Sequence, residues 1–423
     1  MQNRKFNQWR IVGIALAVSL IIPAFSGSAD AGEKSLIEIL EAKGVISKED
    51  VKEAKKAEKI EHKKLYFGGR IMADYAFYSD DTGLDMGDGQ EFRRARLFAA
   101  GQFGDWHFKG QYDFAGNQTV MKDAYVKYKG FKDITITGGQ FFEEFSMEGP
   151  SSSKYITFME RAMVVTAFAP DRHIGLGINT YGDYWTGAVG VFGGTAAGST
   201  AGIDSNLDIT GRVTVAPMHE EGRVLHLGGS ASYRMPDSNR SIRFRERPES
   251  HVTHFRLVDT GNITNVDKFI SYGLETAAAF GPVSVQGEYI RTDVSFQNGI
   301  ANNTNYDGFY GYVSWFLTGE SRPYDVKDGR FGRVHPNQNF QLGKDGWGAW
   351  EIAARFSQLD LEDPVFDGGK EQNITVGLNW YPHSHVRWMF NWVHASVDRS
   401  PIATVARNNF NPDIFQSRIQ VDF

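Results

Sequence analysis

The sequence has no cysteine and only 13 prolines among its 423 residues. Without thiols the chain cannot form a disulfide or a cysteine-ligated zinc or iron–sulfur site. It contains no P-loop, no G-x-S-x-G elbow and no complete G-x-G-x-x-G fingerprint, so nothing points to nucleotide chemistry or a serine hydrolase. Beyond residue 31, no apolar run approaches the roughly 18 residues of a membrane-spanning helix. We therefore expect neither an enzyme nor a helical membrane protein, and no catalytic residue or cofactor.

What the chain does contain is aromatic and apolar material, with 31 Phe, 17 Tyr and 9 Trp and a hydrophobic fraction of 41%. This content argues against intrinsic disorder. Acidic residues outnumber basic ones, 51 against 45. The histidine pairs at 251/254 and 383/385 have no third ligand nearby in sequence, so we expect no metal site.

The first 31 residues have the pattern of an export signal. Arg4, Lys5 and Arg10 precede an apolar stretch over residues 11–25, and residues 29–31 (ADA) have the small-x-small spacing that signal peptidase accepts. About 15 apolar residues are too few for a transmembrane anchor. We expect residues 1–31 to be a cleaved signal peptide.

Residues 32–65 differ from the rest of the chain in having many Lys, Asp and Glu residues and a helical spacing of apolar residues. Ser47 and Asp50 resemble a capping box at the start of a helix. The apolar stripe that follows is narrow, so a solvated periplasmic spacer is favoured over a coiled coil that ties subunits together. The sequence predicts a short helical segment here.

From Tyr66 to the C-terminus the apolar residues recur with a period of two, which indicates β-strands. In the last segment, Phe415, Ile419 and Phe423 share one face, and Arg418 and Asp422 share the other. Sixteen such segments are predicted, at residues 66–78, 91–103, 106–114, 120–129, 133–141, 172–181, 184–192, 207–216, 223–234, 268–280, 283–291, 306–317, 347–359, 371–381, 385–395 and 413–423.

The lengths of these segments match the roughly 9 to 11 residues of a tilted strand that crosses a membrane. Their number is even, and the connections alternate between tight turns and long loops, as in bacterial outer-membrane barrels. A soluble β-sandwich or propeller would show the same alternation, with its apolar face inward. The export signal, the alternating loops and the aromatic residues at strand ends favour an all-β, 16-stranded antiparallel transmembrane β-barrel over residues 66–423.

Eight motifs carry a resemblance to a known family: EFRRARLF (91–98), DWHFK (105–109), QYDF (111–114), DAYV (123–126), ITFMER (156–161), RFRERPESH (243–251), LTGESRPY (317–324) and GWGAWE (346–351). In this order they resemble the phosphate-selective porin O/P family. The resemblance implies a homotrimer of sixteen-stranded barrels, with loops folded into each lumen and an anion path built from arginines and lysines.

Arginines at alternate positions of the long segment 235–267 are the main candidates for that path. An extended backbone would present Arg243, Arg245 and Arg247 on one side, where each guanidinium can hold two oxygens of an anion. By resemblance, Arg70, Arg94, Lys109 and Lys154 fall where the family places basic side chains at a narrow centre. The full set of predicted anion-path residues is Arg70, Arg93, Arg94, Arg96, Lys109, Lys154, Arg161, Arg240, Arg243, Arg245, Arg247 and Arg256.

Two segments depart from what the resemblance implies. After residues 139–141 we expect a Lys and then a Pro, but Phe142 and Glu144 occupy those positions in an acidic segment, 142–171. Strict phosphate selectivity is therefore open. The connection 318–346 should be a short turn but has 29 residues, which predicts either a segment folded back into the pore or a miscounted strand.

The sequence thus predicts a passive porin of the bacterial outer membrane, embedded in its lipid and trimeric, through which small anions such as phosphate diffuse. Two alternatives stay open: a general porin with little anion preference, and an exported soluble all-β binding protein. The arginines are interleaved with acidic residues in an exported chain, so we expect no nucleic acid partner.

Overall fold

The computed structural model describes residues 64–79, 84–195, 207–237, 239–297, 302–400 and 410–423. The predicted signal peptide and nearly all of the predicted helical segment lie outside these residues. Sixteen antiparallel strands form one closed barrel, each paired with its neighbours in chain order, and the first strand pairs with the last. The predicted sixteen-stranded barrel is confirmed. In the described part of the chain, no helix has the length and apolar character needed to cross a membrane.

The barrel strands agree closely with the predicted segments. They are β1 (Lys64–Ser79), β2 (Gly89–Phe103), β3 (Trp106–Asp113), β4 (Val120–Phe131), β5 (Ile134–Phe142), β6 (Arg172–Tyr181), β7 (Trp185–Phe192), β8 (Asp208–Glu220), β9 (Arg223–Arg234), β12 (Val266–Phe280), β13 (Val283–Phe296), β14 (Thr304–Phe316), β17 (Ala349–Asp360), β18 (Lys370–His383), β19 (Val386–Asp398) and β20 (Asp413–Asp422). Two hairpins lie between them, β10 (Arg245–Glu246) with β11 (Val258–Asp259) and β15 (Tyr324–Asp325) with β16 (Arg330–Phe331), and so does a short helix, α1 (Met163–Phe168).

The apolar residues of each strand face outward and the charged ones face inward. On β20, Phe415 and Ile419 are about half exposed, whereas Arg418 and Asp422 are buried. A soluble β-sandwich would have the opposite arrangement, with the aromatic residues in a dry centre. The outward apolar surface is the one that a lipid bilayer covers.

Two β-bulges change which side chains reach the lumen. The pairing between β1 and β2 shifts by one residue, because Met72 pairs with Arg94 but Ala73 pairs with Phe92. Arg93 is therefore an extra residue, and both Arg93 and Arg94 contact the interior. A second shift between β3 and β4 makes Lys122 the extra residue beside Asp123. Strict alternation would have sent one member of each pair outward.

The lumen is partly filled by a hydrophobic core. The loop 143–171, which connects β5 to β6 and contains α1, packs against inward residues of β13, β14 and β17. Phe145, Phe158 and Met163 of this loop are fully buried there, beside Tyr306 and Tyr310 of β14. One side of the barrel is thus closed by apolar packing, and open space is left on the side of β1 to β6.

The long connection 317–348 also enters the barrel. It lies at the end where the other connections are tight turns, which we call the short-turn end, and its hairpin β15–β16 turns at Gly329 with a φ of 60°. Inside, Arg322 donates hydrogen bonds to the hydroxyls of Thr157 (2.8 Å) and Tyr312 (2.5 Å). The strand count was therefore correct, and the segment folds back into the pore as predicted.

Candidate functional site

A cavity of about 620 Å³ lies in the open half of the lumen. Strands β1 to β6 form its wall on one side, and the loop 143–171 and the hairpin β15–β16 form the other. Among the described residues its basic lining is Arg70, Arg93, Arg94, Arg96, Lys109, Lys122, Lys127, Arg161, Arg172 and Arg330, and its acidic lining is Asp123, Glu144, Asp171, Asp325 and Asp328. This central cavity therefore has an excess of positive charge.

Three arginines of the central cavity, Arg70, Arg94 and Arg161, form no ion pair with a carboxylate of the described residues. Arg70 on β1 donates hydrogen bonds to the hydroxyls of Ser153 (2.8 Å) and Ser152 (3.2 Å) in the loop 143–171. Arg94 on β2 is 5% exposed, its Nε has no hydrogen-bond partner, and its Nη1 lies 3.8 Å from the sulfur of Met72. A buried guanidinium without a counter-ion is costly, and an anion in the cavity would relieve that cost.

Five other cations of the central cavity are paired with carboxylates: Arg93, Arg96, Lys109, Arg172 and Arg330. Asp123 bonds Lys109 and Arg172, each at 2.6 Å, and Asp113 bonds Arg96 at 2.7 Å. Arg172 also stacks its guanidinium on the ring of Phe142, 4.9 Å from the ring centre. These pairs fix the positions of the basic groups and partly cancel their charge, so the uncompensated charge is concentrated on the remaining cations.

A second cavity of about 320 Å³ adjoins the first on the side of the long loops. We call it the outer cavity. Arg93 and Arg161 line both cavities, so they stand at the junction. The rest of the charged lining is Glu160, Arg245, Glu246, Arg247, Glu249 and Arg256. The five arginines exceed the three carboxylates by two charges.

Burial changes the ionisation of loop residues in the outer cavity. It raises the pKa of Glu246 to about 7, against the opposing influence of Arg247 and Arg256. Burial also lowers the pKa of Arg161, which donates hydrogen bonds to the carbonyls of Glu148 (2.9 Å) and Ser151 (2.6 Å). Arg161 stays charged at neutral pH, because an arginine starts from a very high pKa.

The glutamates of the loop 143–171 are bonded to basic side chains and hold the loop in the lumen. Arg93 forms two hydrogen bonds with Glu160, at 2.8 and 2.9 Å, and Arg418 on β20 adds a third at 2.7 Å. These arginines hold the pKa of Glu160 well below its usual value. Glu143 bonds Arg234 at 3.1 Å, and Glu144 bonds Arg330 at 3.2 Å. The acidic segment therefore carries little free negative charge into the cavities.

The structure brings nine of the twelve predicted residues to the two cavities. Arg70, Arg93, Arg94, Arg96, Lys109 and Arg161 line the central cavity, and Arg93, Arg161, Arg245, Arg247 and Arg256 line the outer cavity.

The other three predicted residues line neither cavity and lie against carboxylates. Lys154 pairs with Asp422 at 3.1 Å. The Nη1 of Arg240 lies 3.6 Å from a carboxylate oxygen of Asp267, and the Nε of Arg243 donates to Asp259 at 2.7 Å. The side chain of Arg240 is 47% exposed and that of Arg243 is 41% exposed.

Four cationic residues of the central cavity were not among the predicted anion-path residues: Lys122, Lys127, Arg172 and Arg330. Lys122 is presented by the bulge in β4, which no simple periodicity reveals. Arg172 is the first residue of β6, directly after Asp171 at the end of the loop. A basic residue at the junction of a lumen loop and a strand is the signal that would have identified it.

Comparison with known proteins identifies the family. The model for the phosphate-selective porins O and P matches residues 66–423, which is nearly the whole barrel. The chain belongs to this family. It is 28% identical to Porin O of Pseudomonas aeruginosa over 398 residues, covering 84% of this chain and 87% of the relative. An uncharacterized protein of Caulobacter vibrioides is 27% identical over 370 residues, and the alignment covers 84% of this chain and 73% of the relative.

Solved structures of other porins have the same fold. An anion-selective porin from Comamonas acidovorans has a TM-score of 0.54 and 13% sequence identity, with 86% of this chain and all of that chain covered. The outer-membrane channel DcaP of Acinetobacter baumannii has a TM-score of 0.51 and 13% identity, with coverages of 85% and 97%. The protein is therefore an outer-membrane porin, a channel and not an enzyme, of an anion-porin family.

Proposed function

We propose that this porin passes small oxyanions of the phosphate type through the outer and central cavities in turn. The observation that carries the proposal is the pair Arg70 and Arg94, which face the central cavity without a carboxylate partner among the described residues. In a narrow lumen, the distance between a lining charge and a passing ion is shorter than the screening length of about 8 to 10 Å. Local charge therefore outweighs the net negative charge of the chain.

In this mechanism an anion enters the outer cavity beside Arg245, Arg247 and Arg256. It then moves to Arg161 and Arg93, which line both cavities at their junction. Arginine suits this transfer because its planar fork meets two oxygens at once. In the central cavity, Arg94 and Arg70 are the next cations. Because no single contact desolvates the anion fully, it binds weakly enough to leave and diffuses down its gradient without chemical change.

The proposal includes a homotrimer in the outer membrane. OmpT of Vibrio cholerae, which has the same fold with a TM-score of 0.52 and 9% identity, is described in a trimer form. On this barrel the outward side of β3 and β5 carries Gly110, with no heavy atom near its absent side chain, and Gly138, with only the end of Leu176 near. These two outward glycines let a second barrel approach closely at their positions.

The test is ion selectivity in planar lipid bilayers. Under a KCl gradient the reversal potential should show preference for chloride over potassium, and added phosphate should reduce the chloride current by competition. R70Q/R94Q should weaken that competition, while R240Q, a change at an arginine outside both cavities, should leave it unaltered. Equal permeability to both ions would favour the general porin. An unaltered phosphate effect in R70Q/R94Q would refute the roles of these arginines.

A further inference from the structure

The connection 317–348 has a second arm that leaves the lumen. Val334 is buried inside the barrel, where it packs near Phe316 and Tyr381. A few residues later the chain has passed around the rim at the short-turn end, because the backbone NH of Phe340 donates to the carbonyl of Pro382 at 2.8 Å. We call residues 335–348 the rim loop.

The rim loop lies on a row of tryptophans on the outer wall. Trp350 pairs with Trp380 across β17 and β18, and Trp380 pairs with Trp388 across β18 and β19. The ring of Phe340 packs edge-on against Trp380 with a centroid distance of 5.2 Å. The indole NH of Trp380 donates to the carbonyl of Trp347 at 2.8 Å. The loop is thus fixed to the outside of the barrel by both backbone and side chains.

The rim loop then presents apolar side chains that touch little of the protein. Leu342 is 91% exposed and Trp347 is 74% exposed. They continue the row of outward aromatic residues next to the short turns, to which Trp185 and Trp388 belong. Tryptophan is enriched at this level because its ring suits the boundary between headgroups and acyl chains.

The geometry points to the rim loop as a lipid anchor, in which Leu342 and Trp347 insert into the headgroup boundary of the adjacent leaflet. Lipid is the occupant because the loop extends a wall that lipid already covers. The outward residues of β17 and β18 above it, Ile352, Phe356 and Ile374, are large, apolar and exposed. A second barrel would approach more closely on other strands, where the outward glycines Gly110 and Gly138 lie.

The test uses the absence of cysteine from the chain. In L342C, an environment-sensitive dye on the new thiol should emit at shorter wavelength in vesicles, and lipids brominated near the headgroup should roughly halve its intensity. D183C, in an exposed turn at the same end of the barrel, is the matched control and should show neither change. Leu342 makes little contact with the protein, so the substitution leaves packing intact, and heat-modifiable gel mobility verifies folding.

Two results would overturn the inference. If the dye emits at the wavelength typical of water and brominated lipid does not change its intensity, the rim loop stays in solvent. A blue shift without quenching, lost when the oligomer is dissociated into monomers, would show that a second copy covers it. Neither result bears on anion selectivity, which depends on residues inside the lumen.

Discussion

Neutralising two arginines of the outer cavity should reduce anion preference, whereas neutralising two others in the same loop should not. Arg245 and Arg247 line the cavity, but Arg240 and Arg243 lie outside it beside Asp267 and Asp259. The double variants R245Q/R247Q and R240Q/R243Q remove the same charge from the same loop. They differ in whether that charge faces the path and in whether an aspartate already matches it.

The magnitude follows from Coulomb's law. A unit charge about 6 Å from a monovalent anion contributes about 0.7 kcal/mol in a medium as polar as water. Two such charges contribute about 1.4 kcal/mol, a tenfold change in the occupancy of the cavity. The outer cavity has an excess of two positive charges, so R245Q/R247Q brings it to zero. The other pair changes the potential there by much less, because its charges are already matched by aspartates and exposed to water.

The assay is the chloride-to-potassium permeability ratio from reversal potentials at several ionic strengths. R245Q/R247Q should lower the ratio by at least about tenfold at 0.01 M salt, where the screening length is about 30 Å, because chloride occupancy falls and potassium occupancy rises, and by little at 1 M. R240Q/R243Q should stay close to the unmodified protein throughout. The reasoning fails if both variants lower the ratio equally, or if R245Q/R247Q has no effect at low salt.

Three further outcomes are expected. Burial raises the pKa of Glu246 to about 7, so this group is neutral below that pH and negative above it. Chloride conductance should therefore fall as pH rises through 7. In a pH series of single-channel recordings, E246Q should remove this fall. R418M removes a buried guanidinium that binds Asp74 and Glu160, so it should destabilise the barrel by about 3 to 5 kcal/mol. R291M, at the exposed ion pair with Asp293, should destabilise it by at most about 1 kcal/mol. The temperature at which the gel mobility of each variant shifts on heating measures this difference. F142K adds a cation beside Arg172 and Asp123, so it should raise the chloride-to-potassium permeability ratio about threefold at low salt. F142L, which removes the ring without adding charge, should leave this ratio unchanged. An equal rise in the two variants would assign the effect to loss of the ring.

The alternation of side chains was sufficient to predict the strands and their two faces, and the export signal and the alternating loop lengths then favoured a barrel over a soluble sandwich. Arg418 and Phe415 illustrate this, since their places follow from odd and even position alone. The bulges at Arg93 and Lys122 break that rule locally. They depend on how two strands pair, which a single segment does not encode.

The loops were less predictable, for a different reason. Spacing by two suggested that Arg243, Arg245 and Arg247 act together, but only Arg245 and Glu246 form a strand there, and Asp259 in the opposite part of the loop holds Arg243. In the same way the glutamates of the loop 143–171 appeared free in sequence, whereas Glu160 is held by Arg93 and Arg418. Which charges remain available to a passing ion is decided by partners that are distant along the chain.

Arg418 has a consequence for how the pore is made. It lies on the last strand, bonds Asp74 on the first strand at 2.6 Å, and bonds both the Met159 carbonyl and Glu160 in the loop that crosses the interior. One side chain therefore joins the seam of the cylinder to its internal plug. Arg418 has all of these partners only when the seam is closed and the plug lies inside, so a finished wall around an empty bore would lack two of them. The closed wall and the narrowed bore therefore stabilise each other through this one side chain.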